Sequence, residues 1–180
     1  MIRFRFNPGK ALDAVEWMLG RRAPLDFHSI LKTFYFADKQ AINEVGRPVF
    51  GATYKAMNYG PVPLEVYEML KCEPYWLSEL GRDAYPWKRE GYHLRLREPV
   101  RNEPAIHLSE EDMRRLEEAF DLSLGMTFDE RTRETHGFDW LRGMENASGL
   151  MDYADMIDPD RPGRDELIDE LRKLGPHLVL

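Results

Sequence analysis

The chain has one cysteine, Cys72, in 180 residues. A single cysteine makes no internal disulfide and no multi-cysteine zinc site, which fits a reducing compartment; the expected location is cytoplasmic. Long apolar runs are missing too. No stretch approaches the roughly 18 residues of a membrane span, and the opening MIRFRFNPGK has no signal-peptide apolar segment. Positive charge is in deficit: 25 Lys and Arg stand against 32 Asp and Glu, a net charge of −7. Nucleic acid, which is bound by clustered cations, is therefore not an expected partner, and neither is a membrane. The sequence has no HExxH pair, no GxxxxGK[ST] phosphate loop and no GxSxG turn. No metal and no cofactor is expected. Repeats and low-complexity tracts are also lacking. What is present is core material, with 43% hydrophobic and 12% aromatic residues. That suffices for one folded domain, expected over residues 1–158, with 159–180 as a hinge and a C-terminal amphipathic helix.

Periodicity predicts the elements. Ile2, Phe4 and Phe6 alternate with Arg3 and Arg5, the period of a half-buried strand. Asn7 and Pro8 then start a helix to about Gly20, with Leu12, Val15 and Leu19 inward. Asp26 caps a long helix to Val45, stopped by Gly46-Arg47-Pro48. Val49–Asn58 has no clear period. Tyr59–Pro63 reads as a turn from which Pro63 opens a helix to about Lys71. The next twenty residues read as a loop with short helical turns. Tyr92, Leu94 and Leu96 alternate with His93, Arg95 and Arg97 in a second strand, ended by Pro99 and Pro104. Ser109 and Asp112 fit a capping box for a helix to Leu124. A short helix follows over Phe128–Thr135. After Asp158–Gly163, Leu167, Ile168, Leu171 and Leu174 mark the last helix.

Few residues point to chemistry. His136 and Asp139 suggest an acid–base pair, because a carboxylate can orient an imidazole; the simpler reading is a helix end where a cationic ring suits the dipole. Asp152, Asp155, Asp158 and Asp160 lack the ligand order of a calcium loop and read as a solvated face. Cys72 beside Glu73 is read as structural, its thiol pKa expected to be raised. If the two strands shared a sheet, Arg3, Arg5, Arg95 and Arg97 would crowd one face, an arrangement needing acidic cover from the chain or a partner. Those arginines, with Tyr75, Trp76, Tyr85 and Trp87, are the candidate partner-binding residues, since aromatic and Arg side chains carry binding hot spots. The alternative for the tryptophans is that they plug the core.

The stretch Ile30–Leu70 holds Tyr35-Phe36-Ala37-Asp38, Gly46-Arg47-Pro48, Gly51 with Tyr54, Tyr59-Gly60-Pro61-Val62-Pro63, and Tyr67. Leu108-Ser109-Glu110-Glu111 and Thr135-His136 with Trp140 follow. This set closely resembles the Panacea domain, the antitoxin family of SocA-like proteolytic adaptors and phage-associated GepA-type proteins. Val45 stands where the family often has tyrosine, and Asp139 where it usually has alanine. The resemblance implies a mainly α fold with a small β element, a compact helical (α+β) domain with a two- or three-stranded sheet. It implies an antitoxin of a toxin–antitoxin system that binds a cognate protein toxin, and not an enzyme. A homo-oligomer is compatible with it, and a fused helix-turn-helix has no room. One alternative is an adaptor that hands a bound toxin to a cellular protease through the C-terminal helix. A less favoured one is an enzyme using His136 and Asp139. Physically, most motif residues are expected to be structural. Asp38 interrupts an apolar stripe and must be satisfied if buried, with donors expected from the Gly51–Tyr59 segment.

Overall fold

A computed structural model describes residues 1–98 and 106–180. The strand end expected at Pro99 and Pro104 lies outside the described residues. The fold is α+β, mainly helical with small sheets. It is organised by one helix. α2 (Phe27–Val45) starts at Asp26, whose carboxylate accepts from the Ser29 N–H at 2.8 Å, and ends at Gly46 in the left-handed region. Twelve of its 19 residues are buried, too many for a helix with one wet face. α2 therefore separates two cores.

On one side Ile30, Leu31, Phe34, Ala37 and Ala41 face α1 (Pro8–Arg21), α3 (Leu64–Leu70) and α5 (Glu110–Leu124). Asn7 caps α1 by accepting from the Lys10 N–H. Ser109 caps α5, but Asp112 does not complete the expected capping box. Its carboxylate reaches Lys10 at 2.7 Å and Arg47 at 3.5 Å, tying α1 and α5 to the turn after α2. A small antiparallel sheet closes this core, with β1 (Leu25–Asp26), β5 (His93–Leu96) and β4 (Trp87–Glu90) in the order β1-β5-β4. α4 (Tyr75–Leu80) lies against α1 beside it. On the other side of α2, Tyr35 and Ile42 face Ile2, Ala52, Tyr54, Met151 and Tyr153.

Three sequence expectations are corrected. The first residues alternate in burial as expected, but no strand among the described residues pairs with them. The Ile2 N–H goes to Asp152 and the Asn7 N–H to the Phe50 carbonyl, so the segment is an extended strap over the second core. Tyr59–Pro63 is not a turn. The chain reverses at Asn58-Tyr59, joining β2 (Tyr54–Met57) to β3 (Gly60–Pro63) in a hairpin; β2 is bridged on its outer side by Leu150, and Pro61 and Pro63 are tolerated because β3 is the edge among the described residues. Tyr92 lies outside β5 and is 70% exposed; only Leu94 of that face is buried.

Downstream, α6 (Phe128–Glu134) begins with a complete Thr127–Glu130 capping box, and α7 (Phe138–Glu145) and α8 (Tyr153–Met156) follow. Residues 158–163 are held by Asn43, which accepts from the Asp158 N–H at 2.7 Å and from Arg161 Nε at 2.9 Å. α9 (Arg164–Leu174) buries Ile168 and Leu171 in the second core, and the Asn7 side chain donates to the Leu180 carbonyl. No helix among the described residues is long and apolar enough to cross a membrane.

Candidate functional site

Asp38 sits in the middle of α2 and is fully buried. Its Oδ1 accepts from the Val49 and Phe50 N–H groups, both at 2.8 Å. Its Oδ2 faces the hydroxyls of Tyr54 at 3.0 Å and Tyr153 at 3.1 Å. The backbone donors lie just ahead of the expected segment, and Tyr54 lies within it. Burial pushes the carboxyl up to about 6, against the pull of these four hydrogen bonds. Desolvation and the Asp38 charge hold both tyrosines well above their ordinary value, so both remain hydroxyl donors.

One turn away, Tyr35 donates to Asp139 Oδ2 at 2.6 Å, and Lys39 reaches the same oxygen at 3.3 Å. Asp139 Oδ1 is buried without a hydrogen-bond partner among the described residues. The His136–Asp139 pair suggested by the sequence is therefore not assembled. His136 lies flat on Trp140, with centroids 3.7 Å apart, and Trp140 donates to the Met57 carbonyl. His136 does follow the end of α6, as expected; burial and the nearby Lys32 charge hold its imidazole pKa below the ordinary value, which disfavours the cationic form.

The hairpin packs closely on α2 and α6. Lys32 donates to the Pro61 carbonyl at 2.9 Å. Gly60 has φ +95°, and a Cβ there would collide with Thr135 Oγ1 and press on Lys32 Nζ at 3.0 Å, so this position requires glycine. Val62 is buried and Pro63 precedes α3, whose Tyr67 meets Phe27 edge-on. Tyr59, at the hairpin tip, is 63% exposed.

The other candidates do not form one face. Arg3 and Arg5 sit on the N-terminal strap. Arg95 pairs with Glu90 at 3.5 Å, and Arg97 Nε donates to the Tyr85 and Trp87 carbonyls. Tyr85 and Trp87 stack on each other inside the first core, with Trp87 wholly buried, so neither offers a surface. Tyr75 is exposed and Trp76 half-buried, its indole donating to Glu68. Burial raises the Cys72 thiol pKa. Asp152 is more than a solvated acid: it caps α8, accepts from the Ile2 N–H and pairs with the Met1 ammonium.

Sequence reasoning missed Tyr153, Lys32, Arg131 and His28. Lys32 carried a signal, since it lies inside the apolar stripe of α2. Tyr153 carried none, because its contact with Asp38 spans 115 residues. Among the described residues no group of three or more His, Cys, Asp or Glu side chains could hold a metal ion.

Neither the curated proteins nor the solved structures contain a match to this chain. A family model does match, that of the antitoxin SocA-like, Panacea domain, over residues 30–141. The matched span runs from α2 through the hairpin to Trp140 and so includes Asp38, Tyr54, Lys32 and the His136–Trp140 stack. The chain belongs to the antitoxin SocA-like, Panacea domain family.

Proposed function

We propose that the chain is an antitoxin that neutralises a cognate protein toxin by direct, stoichiometric binding. The observation that carries this reading is the family match over residues 30–141. The placement of the motif supports it. Asp38, Tyr54, Tyr35 and Asp139 face inward and join α2 to the hairpin, α7 and α8, so they serve the scaffold and leave recognition to exposed side chains. The docking of α9, with Ile168 and Leu171 buried, favours occlusion of the toxin over delivery to a protease by a free tail. Co-expression with the product of the neighbouring reading frame tests the reading. The expected result is that this product alone arrests growth, that the chain restores growth, and that the two co-purify at fixed stoichiometry with the toxin's half-life unchanged. Growth arrest that the chain leaves unrelieved overturns the antitoxin role. Rescue with a shortened toxin half-life replaces occlusion by targeted degradation.

A further inference from the structure

Most of the family motif's hydrogen-bonding groups are tied up in the Asp38 and Asp139 networks, with Asp139 Oδ1 and His136 Nε2 the exceptions; beside them lies a charged cluster of a different kind. Lys32 and Arg131 are 1% and 6% exposed. Their acceptors are all neutral. Lys32 Nζ donates to the Pro61 carbonyl, Arg131 Nη1 to the Ser123 carbonyl at 2.7 Å, and Arg131 Nε to His28 Nδ1 at 3.3 Å. Arg131 Nη2 has no partner among the described residues. Asp26 acts on Arg131 through space, but its carboxylate already caps α2. Buried cations normally sit against carboxylates, because an uncompensated buried charge is costly.

His28 fixes the geometry of the cluster. Its Nδ1 accepts from Arg131, so the ring proton is assigned to Nε2, which faces the Tyr59 carbonyl and Thr132 Oγ1, both at 3.3 Å. Burial and the charges of Lys32 and Arg131 pull its pKa down to about 4, so His28 adds no charge of its own at neutral pH. It acts as a strut between α2, α6 and the hairpin tip.

Burial and Arg131 lower the Lys32 pKa to about 7, so at neutral pH Arg131 is the lasting positive charge; above it lies an aromatic lip. Phe128 stacks on His28 at 4.1 Å, and Tyr59 meets Phe128 edge-on at 5.2 Å. Phe128 is 43% exposed and Tyr59 63%. An arginine behind exposed aromatics is the composition of a binding hot spot. Asp129 and Glu130 follow Phe128, with Glu130 taken up by the Thr127 capping box, so the complement to an acidic partner is Arg131, which none of its own hydrogen bonds neutralises.

We propose that the lip formed by Tyr59, Phe128 and His28 receives an acidic segment of the partner protein, one Asp or Glu carboxylate pairing with Arg131 Nη2 and a neighbouring apolar side chain packing on Tyr59 and Phe128. The proposal rests on the antitoxin reading for the partner's identity, and on the geometry alone for its chemistry. Two measurements separate these.

The first is the dissociation constant for the toxic product of the neighbouring reading frame. Phe128→Glu and Tyr59→Glu each weaken binding about tenfold or more, Phe128→Lys weakens it about threefold, and Tyr75→Glu, on α4, changes it less than about twofold. Binding by Phe128→Glu and Tyr59→Glu at wild-type strength overturns the proposal. A loss with Phe128→Lys as large as with Phe128→Glu also overturns it, because the lip would then be apolar only.

The second measurement needs no toxin. A capped Phe-Asp-Phe-Glu peptide, titrated into the isotopically labelled chain, shifts the Arg131 Nε–H resonance and the Tyr59 ring, and a capped Phe-Lys-Phe-Lys peptide does not. Absence of shifts with the acidic peptide, or equal shifts with both, overturns the acidic-segment proposal even if the chain protects against a toxin. Shifts with the acidic peptide alone uphold it even if the neighbouring product proves harmless.

Discussion

Tyr153 and Asp38 are 115 residues apart in the sequence and 3.1 Å apart in the fold. The tyrosine hydroxyl also lies 2.8 Å from the Ala52 carbonyl, so its single proton is shared between an acid on α2 and the segment leading into the hairpin. This junction fastens α8 to the region matched by the family model, and its removal is the most direct test of how the fold is held.

Asp38→Ala leaves the buried Val49 and Phe50 N–H groups without an acceptor, while Tyr54 and Tyr153 retain the Phe34 and Ala52 carbonyls. At about 1–3 kcal/mol for each unsatisfied buried donor, the expected loss is about 2–6 kcal/mol, measured by urea denaturation. Full stability combined with failure to bind a toxin would make Asp38 a contact residue instead.

The same carboxyl imposes a pH dependence. Its pKa is about 6 in the fold and 3.8 ordinarily, so the native chain holds the proton more tightly than the unfolded one. The stability it contributes is present in full below about pH 4 and is lost as pH rises from there to about 6, a change on the order of 3 kcal/mol. Asp38→Asn removes this slope. The check is the difference in unfolding free energy between wild type and Asp38→Asn, which shifts against the wild type between pH 4 and pH 7.

Lys32 acts in a different pH window. Burial and the Arg131 charge lower its pKa from 10.5 to about 7. Here the unfolded chain binds the proton more tightly, so the contribution to stability rises with pH from about 7 to 10.5. Lys32→Met removes the charge and the dependence with it. Relative to wild type, the variant is more favourable at pH 6 than at pH 10 by about 2–4 kcal/mol. Melting curves across that range provide the measurement, and a pH-independent difference would refute it.

Deleting residues 159–180 strips Ile168 and Leu171 from the second core. At about 1.5–3 kcal/mol for each buried side chain, the truncated chain loses roughly 3–6 kcal/mol and melts well below wild type. An unchanged melting temperature would return the C-terminal helix to the status of a free appendage.

His136→Ala removes the ring stacked on Trp140 and lowers stability by about 1 kcal/mol. Protection against the toxin in the growth assay is expected to persist. Its loss in a variant that folds normally would revive a chemical role for this histidine.

Local signals made the helices legible in the sequence. Asp26 and Gly46 bracket α2, and Asn7 with Pro8 starts α1, because caps and stops act within one turn. Alternation at Ile2–Phe6 correctly indicated which side chains face inward. It could not say whether a ladder partner exists, since pairing is set by distant chain. The hairpin was obscured by Gly60-Pro61, whose residues suit a turn while the reversal falls one step earlier, at Asn58-Tyr59. At the site, the need to satisfy Asp38 followed from its position on an apolar stripe. The Tyr153 donor and the His28–Arg131 contact bridge more than 100 residues and leave no periodic trace. The separation of His136 from Asp139 was hidden for a related reason: Tyr35 and Lys39 approach Asp139 from another helix.

The Asp38 junction also determines where the chain can be divided. The family match ends at residue 141, yet one of the four donors to Asp38 and much of the second core lie beyond it, in Met151, Tyr153, Met156 and Ile157. A fragment cut at the limits of recognisable similarity would open the face of α2 that carries Tyr35 and Ile42 to water. It would do so before any question of binding arose. The unit that similarity detects is thus smaller than the unit that folds, and grafting or minimising the recognition surface must carry the chain at least through α8.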